Sequence, residues 1–75
     1  MLVDIDREEL RRARIGRLLS QTQASELAGI ARWTLGRIES GRTKPQLETL
    51  KRVSRVYGRN PRDFLAQNQP EENHL

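Results

Sequence analysis

Residues 20 to 39, Ser-Gln-Thr-Gln-Ala-Ser-Glu-Leu-Ala-Gly-Ile-Ala-Arg-Trp-Thr-Leu-Gly-Arg-Ile-Glu, limit what this chain can become. Small or apolar residues fall at Ala24, Ser25 and Ala28, then at Ile30, then at Leu35 and Ile38. The 24/28 and 35/38 spacings are helical, so each set shares one helix face. Gly29 stands between them, where a helix closes on a left-handed residue that glycine adopts at little cost. The stretch therefore reads as two short helices meeting across a tight turn. Ser25, small and central, lets the second helix pack close to the first.

Two helices joined this way form a helix-turn-helix, whose second helix can enter the DNA major groove. The order Ser20-Gln21, Ser25, Gly29-Ile30 and Ile38-Glu39-Ser40-Gly41 resembles the phage repressor and Cro type of helix-turn-helix, the XRE family. The resemblance extends to Leu10-Arg11-Arg12-Ala13-Arg14 before the unit and Pro45-Gln46-Leu47-Glu48-Thr49-Leu50 after it. It covers roughly residues 8 to 66 without an insertion, and the Glu-x-Gly-x-x-x-Pro closure is in register. It implies an all-α, five-helix DNA-binding domain over residues 6–67, with an N-terminal arm at 1–5 and a flexible tail at 68–75.

The composition is compatible with this. A chain of 75 residues has room for one small domain with a thin core. It has no cysteine, which suits a reducing cytoplasm, and no apolar run of membrane-spanning length. Nor does its N-terminus have the layout of a signal peptide. Charge is placed unevenly: residues 11 to 62 carry 13 Lys/Arg against Glu26, Glu39 and Glu48, a net of +10, while the segments on either side are each −3. A basic body with acidic ends suits a polyanion. His74, the sole histidine, has no cysteine or paired carboxylates near it in sequence, so neither a metal site nor a general base is expected. No nucleophile-base arrangement or phosphate-cradling glycine loop suggests an enzyme, and no cofactor is implied.

Taken in order, Leu2, Val3 and Ile5 are free to dock on the domain or to pair with another copy. Asp6-Arg7-Glu8-Glu9 has the pattern of a capping box, predicting a first helix from Arg7 to about Leu18. Its five arginines spread around the helix toward solvent or phosphate. Where this chain has Leu18 the family usually has glycine, which predicts a differently shaped link, with Leu18 helical and Leu19 turned inward. The family position of Arg14 implies an ion pair with Glu39, tying the first helix to the third.

Ser20 is suited to cap the second helix. The resemblance puts Gln21 at that helix's N-terminus against the DNA backbone, where free amides and the dipole attract phosphate. Thr22 and Gln23 are within reach of the same backbone. Leu27 is commonly polar in the family, and its exposure here would make a contact surface or an isolated surface leucine. The third helix, Ala31 to Ser40, is the expected reader, with Ala31, Arg32, Trp33 and Arg37 touching bases. Arg32 suits a bidentate contact with guanine. Trp33 lies off the 35/38 face, which favours groove contact, against a thymine methyl, over packing on its neighbours. Gly36 within a helix costs ~1 kcal/mol relative to alanine, suggesting close approach of DNA or another helix.

Arg42, Thr43 and Lys44 match the family's phosphate-contacting loop, which positions the protein without reading sequence. Leu47, Leu50, Val53, Ser54 and Tyr57 form the core stripe of a fourth helix, ended by Gly58. Asn60-Pro61-Arg62-Asp63 signals a short fifth helix to about Gln67, with Phe64 and Leu65 as a candidate dimer surface. Arg59 replaces a residue often apolar in the family, which predicts looser packing at that corner.

Two functions lead among those compatible with these residues, ahead of non-specific DNA coating with steep salt dependence. One is a transcriptional regulator, a repressor in preference to an activator, binding an inverted repeat in double-stranded DNA as a homodimer. The other is a protein-interaction module, such as an antitoxin that silences a toxin, with Leu27, the apolar start and the tail as partner surfaces.

Overall fold

The computed structural model describes residues 1–66. The tail at 68–75, His74 and the expected end of the fifth helix at Gln67 lie outside the described residues. Four helices occur in order: α1 (Arg7–Gly16), α2 (Gln21–Ala28), α3 (Thr34–Ser40) and α4 (Leu47–Tyr57), with a 3-10 turn at Pro61–Phe64. The fold is all-α. Helix α2 packs on both α3 and α4, α1 packs on α3, and the 3-10 turn closes over α1 and α4.

The core is Leu10, Ala24, Ala28, Leu35, Ile38, Leu50, Val53, Tyr57 and Phe64. The apolar spacings read from the sequence therefore converge from every element. Ser25 and Ser54 are fully buried among them, and their small side chains let α2 and α4 approach closely. Tyr57 and Phe64 meet edge to face, with centroids 6.4 Å apart.

Helices α2, α3 and α4 each end on a left-handed glycine: Gly29, Gly41 and Gly58. An arginine from elsewhere in the chain lies near each of these ends. Arg52 lies beside Gly29, Arg7 against Gly41 and Arg17 against Gly58. The Arg17 Nε also donates to the Tyr57 carbonyl at 3.1 Å. A cation at a helix C-terminus meets the negative end of the dipole. The arginines at 7 and 17 thus brace the fold from the α1 end, a role that their spacing in the sequence does not reveal.

Helix α1 stops two residues earlier than expected. Leu18 is not helical; its φ is +59°, the one non-glycine residue in the left-handed region among those described. The amides of Arg17 and Leu19 both fold back on the Arg14 carbonyl, which closes the helix. Leu18 thereby takes a left-handed conformation that glycine adopts at lower cost, and it is 89% exposed. Leu19 packs against the core, as expected.

The N-terminal arm docks on its own domain. The Val3 amide donates to the Pro45 carbonyl, and the Leu47 amide, the first of α4, donates to the Met1 carbonyl at 2.7 Å. Further on, Asp6 N donates to Phe64 O and Ala66 N to Asp4 O. This pairing explains why no full fifth helix forms. After one 3-10 turn, Leu65 turns extended to bridge Ile5, and the chain bonds to the arm instead of to itself. It also alters the capping box. The Asp6 side chain accepts from Glu9 N, but Asp6 N is taken by Phe64, and the Glu9 carboxylate turns to Arg12 and Arg59. Arg59 does not loosen its corner. Its guanidinium lies 5.0 Å over the Phe64 ring and also bonds Asp63. These two carboxylates raise its pKa, Asp63 having the larger effect.

Replacing Leu18 with glycine removes an exposed side chain and relieves a left-handed conformation. The relief, ~1–2 kcal/mol, exceeds the added entropy of an unfolded glycine, ~0.5–1 kcal/mol. Leu18→Gly should therefore raise the urea midpoint modestly. A lowered midpoint would show that Leu18 makes a stabilising contact.

Candidate nucleic-acid interface

The interface is assembled around one buried carboxylate. Glu39, near the end of α3, accepts from Arg14 Nε at 2.8 Å on one oxygen and from Arg14 Nη2 at 2.9 Å on the other. Arg14 Nη1 reaches the Leu19 carbonyl at 2.8 Å. The side chains are 11% and 4% exposed, so the pair is largely withdrawn from water. The hydrogen bonds to Glu39 push the Arg14 pKa up against the opposing effect of burial. Gln21, the first residue of α2, adds a third bond to the same carboxylate, from Nε2 to Oε1 at 3.1 Å. One carboxylate thus joins α1, α2 and α3.

This network also accounts for Gly36. A Cβ there would stand 3.1 Å from the Gln21 Oε1. Glycine lets the start of α2 lie against the face of α3, so the close approach is between helices. Gln21 is held by Glu39 on one side and abuts α3 on the other, while remaining an exposed residue. The start of α2 is further ordered by a full capping box. Gln23 N donates to Ser20 Oγ at 3.0 Å, and Ser20 N donates to Gln23 Oε1 at 2.9 Å. The Gln23 carbonyl oxygen is therefore occupied in holding the helix end. Ser20 with a glutamine three residues later is the sequence signal for this. Thr22 is half-buried.

Helix α3 begins at Thr34, later than expected, and Ala31, Arg32 and Trp33 form the turn that leads into it. None of the three supplies a capping oxygen, and Trp33 sits at the cap position without a side-chain hydrogen bond. All three are exposed, as is Arg37 one turn later. Trp33 is 60% exposed and lies outside the core. The Arg37 guanidinium stacks over its ring, 4.5 Å from the centroid. The 33/37 spacing is the sequence signal for this pair.

Trp33, Arg37, Thr43 and Lys44 line one groove together with Leu2, Pro45 and Thr49. The structure thus brings α3, the basic loop and the N-terminal arm to one surface. Arg42, Thr43 and Lys44 are exposed, and the amides of Arg42 and Thr43 fold back onto the Arg37 carbonyl. Lys44 pairs with Asp4 of the arm at 2.7 Å, a contact between exposed groups that composition did not disclose.

The expected dimer residues are not at this surface. Phe64 is completely buried against Tyr57 and under Arg59, and Leu65 is half-buried, bridging Ile5. The thin core takes Phe64 for itself, so of the expected Phe64–Leu65 patch only Leu65 keeps exposed surface in the single domain.

A family model described as helix-turn-helix matches residues 10–64. The chain belongs to that family. The match runs from within α1 through the 3-10 turn, the same run of elements that the buried carboxylate and the core hold together. A solved structure, the HTH_3 family transcriptional regulator from Vibrio cholerae, is similar to this helix-turn-helix chain at 27% identity with a TM-score of 0.69. The alignment covers 75% of this chain and 32% of that regulator, so the chain spans about a third of its length. No curated protein matches the chain. Among the described residues, no helix is long and apolar enough to cross a membrane, and no cluster of metal-ligating side chains is found.

Truncating Arg14 to alanine would strand the Glu39 carboxylate and free Gln21. The expected loss is ~3–5 kcal/mol, the cost of breaking a buried pair from one side. Urea unfolding of Arg14→Ala measures it. A loss below ~1 kcal/mol would place the pair among ordinary surface contacts.

Proposed function

We propose that this domain is a sequence-specific DNA-binding transcriptional regulator that reads the major groove with the turn and helix at 31–40. The observation that carries the reading is one groove lined by Trp33, Arg37, Thr43 and Lys44, on a helix whose Gly36 also takes the side chain of Gln21 from the start of α2. Base-edge readers and phosphate binders must be adjacent for a protein to be positioned and specific at once. In this reading Arg32 and Arg37 address bases, with Ala31 and Trp33 beside them. Gln21, Thr22, Arg42, Thr43 and Lys44 face the backbone, and Gln23 contributes through its amide nitrogen.

The proposal extends to repression through an inverted repeat bound by a homodimer. A monomer's few base contacts rarely supply enough specificity alone, and a domain of this size acts most simply by occluding a promoter. With Phe64 in the core, the dimer surface lies elsewhere. Ile15, Leu18 and Leu27 are exposed apolar residues away from the reading helix, at 46%, 89% and 65% exposure. The same residues support the alternative of a protein partner, such as a toxin, bound alongside DNA.

Selection of bound duplexes from a randomised pool tests the reading, and enrichment of an inverted repeat is the expected result. Arg32→Ala should then relax preference at one position of each half-site, by ~1–3 kcal/mol against the wrong base. Lys44→Ala should weaken binding to all duplexes alike and reduce the salt slope by about one. Recovery of no motif, with binding lost at moderate salt, would leave only a basic fold and favour the partner-protein alternative.

A further inference from the structure

Trp33 serves neither of the ordinary roles of a residue at its position. It occupies the cap of α3 yet makes no capping hydrogen bond. Serine, threonine, asparagine or aspartate there would stabilise the helix. It is also outside the core, with 60% of its surface exposed. Its one specific partner is Arg37, whose guanidinium rests 4.5 Å from the ring centroid. Both side chains are exposed and line the groove that also holds Thr43 and Lys44.

We infer that Trp33 and Arg37 act as a single reading unit for a two-base step, a guanine beside a base carrying a methyl group at pyrimidine C5. The inference rests on the DNA-reading proposal above and assigns its specificity. A free arginine has many rotamers to lose on binding, whereas one stacked on an aromatic face has its planar fork already oriented. A guanidinium that lies over a ring face keeps its in-plane N–H groups for other partners. Guanine presents O6 and N7 to such an edge, with the guanidinium near the base plane. The Trp33 ring, its centroid 4.5 Å from the guanidinium carbon, is then offset to one side of that plane on the scale of the ~3.4 Å between successive bases. It falls beside the major-groove edge of the neighbouring pair. The apolar feature on that edge is the C5 methyl of thymine. Trp33 is thus a positioning residue for Arg37 and a direct contact for the methyl group.

The test uses the duplex that wins the selection, with two atom-level changes. Deoxyuridine in place of the thymine removes only the methyl, and 7-deazaguanine removes only the N7 acceptor. Wild type should lose about fourfold in affinity to deoxyuridine, the worth of one buried methyl, and about tenfold to 7-deazaguanine. Trp33→Ala should lose both sensitivities, although Arg37 is still present. Trp33→Phe, which keeps an aromatic face for the guanidinium, should retain the 7-deazaguanine penalty. Arg37→Ala should lose that penalty and keep the methyl preference. Because Trp33 is the sole tryptophan, its emission should change on binding the thymine duplex and less on binding the deoxyuridine duplex. Trp33 is mostly exposed, so the variants should fold, which their thermal unfolding verifies. Retention of the full 7-deazaguanine penalty by Trp33→Ala would overturn the inference. So would indifference of wild type to the methyl group. Either result with an enriched motif leaves the DNA-reading proposal standing, whereas the absence of any motif removes both.

Discussion

The arrangement depends on the Glu39 carboxylate. It is almost out of water, and a buried charge is tolerable only when fully bonded. Two bonds from Arg14 and one from Gln21 meet that requirement. The three donor and acceptor residues come from α1, α2 and α3, so each bond also sets one helix against another. A hydrophobic contact could hold these helices together but leave their rotation and slide poorly determined. The fork of Arg14, bonding two oxygens and the Leu19 carbonyl, specifies both. The consequence for function is one of position. Gln21 lies at the start of α2 and abuts Gly36, so the spacing between the two candidate DNA-facing helix segments is bound up with this network.

A second constraint is the thinness of the core. Nine buried apolar residues form it, and two of the three aromatic residues are among them. The rest of the closure is made from backbone and arginine. Residues 1–6 bond to Pro45, Leu47, Phe64 and Ala66, and arginines from elsewhere in the chain lie near the ends of α2, α3 and α4. The abundance of arginine has therefore two physical causes in one molecule. Arg7, Arg14, Arg17 and Arg59 hold the fold, whereas Arg32, Arg37 and Arg42 stand out from it. Net charge alone does not separate the two sets.

Much of the fold is legible in the sequence because it depends on local rules. Helical spacing identifies the core positions of α2, α3 and α4, left-handed glycines mark three helix ends, and Ser20 marks a start. The departures also have local causes. Leucine is a good helix former, so Leu18 reads as helical, yet α1 has already closed on the Arg14 carbonyl. Ala31, Arg32 and Trp33 have ordinary helical propensity but offer no capping oxygen, so α3 starts later than its composition suggests. Phe64 reads as exposed because a short apolar pair near a chain end has no period from which to assign a face.

The sequence by itself determined the class of fold, the turn at Gly29, the register of the Arg14 and Glu39 positions and the segment that carries the candidate reading residues. These come from short-range geometry and from motifs whose spacing is unbroken. Only the tertiary structure decided that the N-terminal arm pairs with residues 45–47 and 64–66, that Asp4 lies on Lys44, that Phe64 is core and that Gly36 accommodates Gln21. Each of these depends on which distant segment competes successfully for a backbone amide or an apolar face. That competition is settled by the packing of the whole domain, where the cost of an unpaired buried group outweighs any local preference.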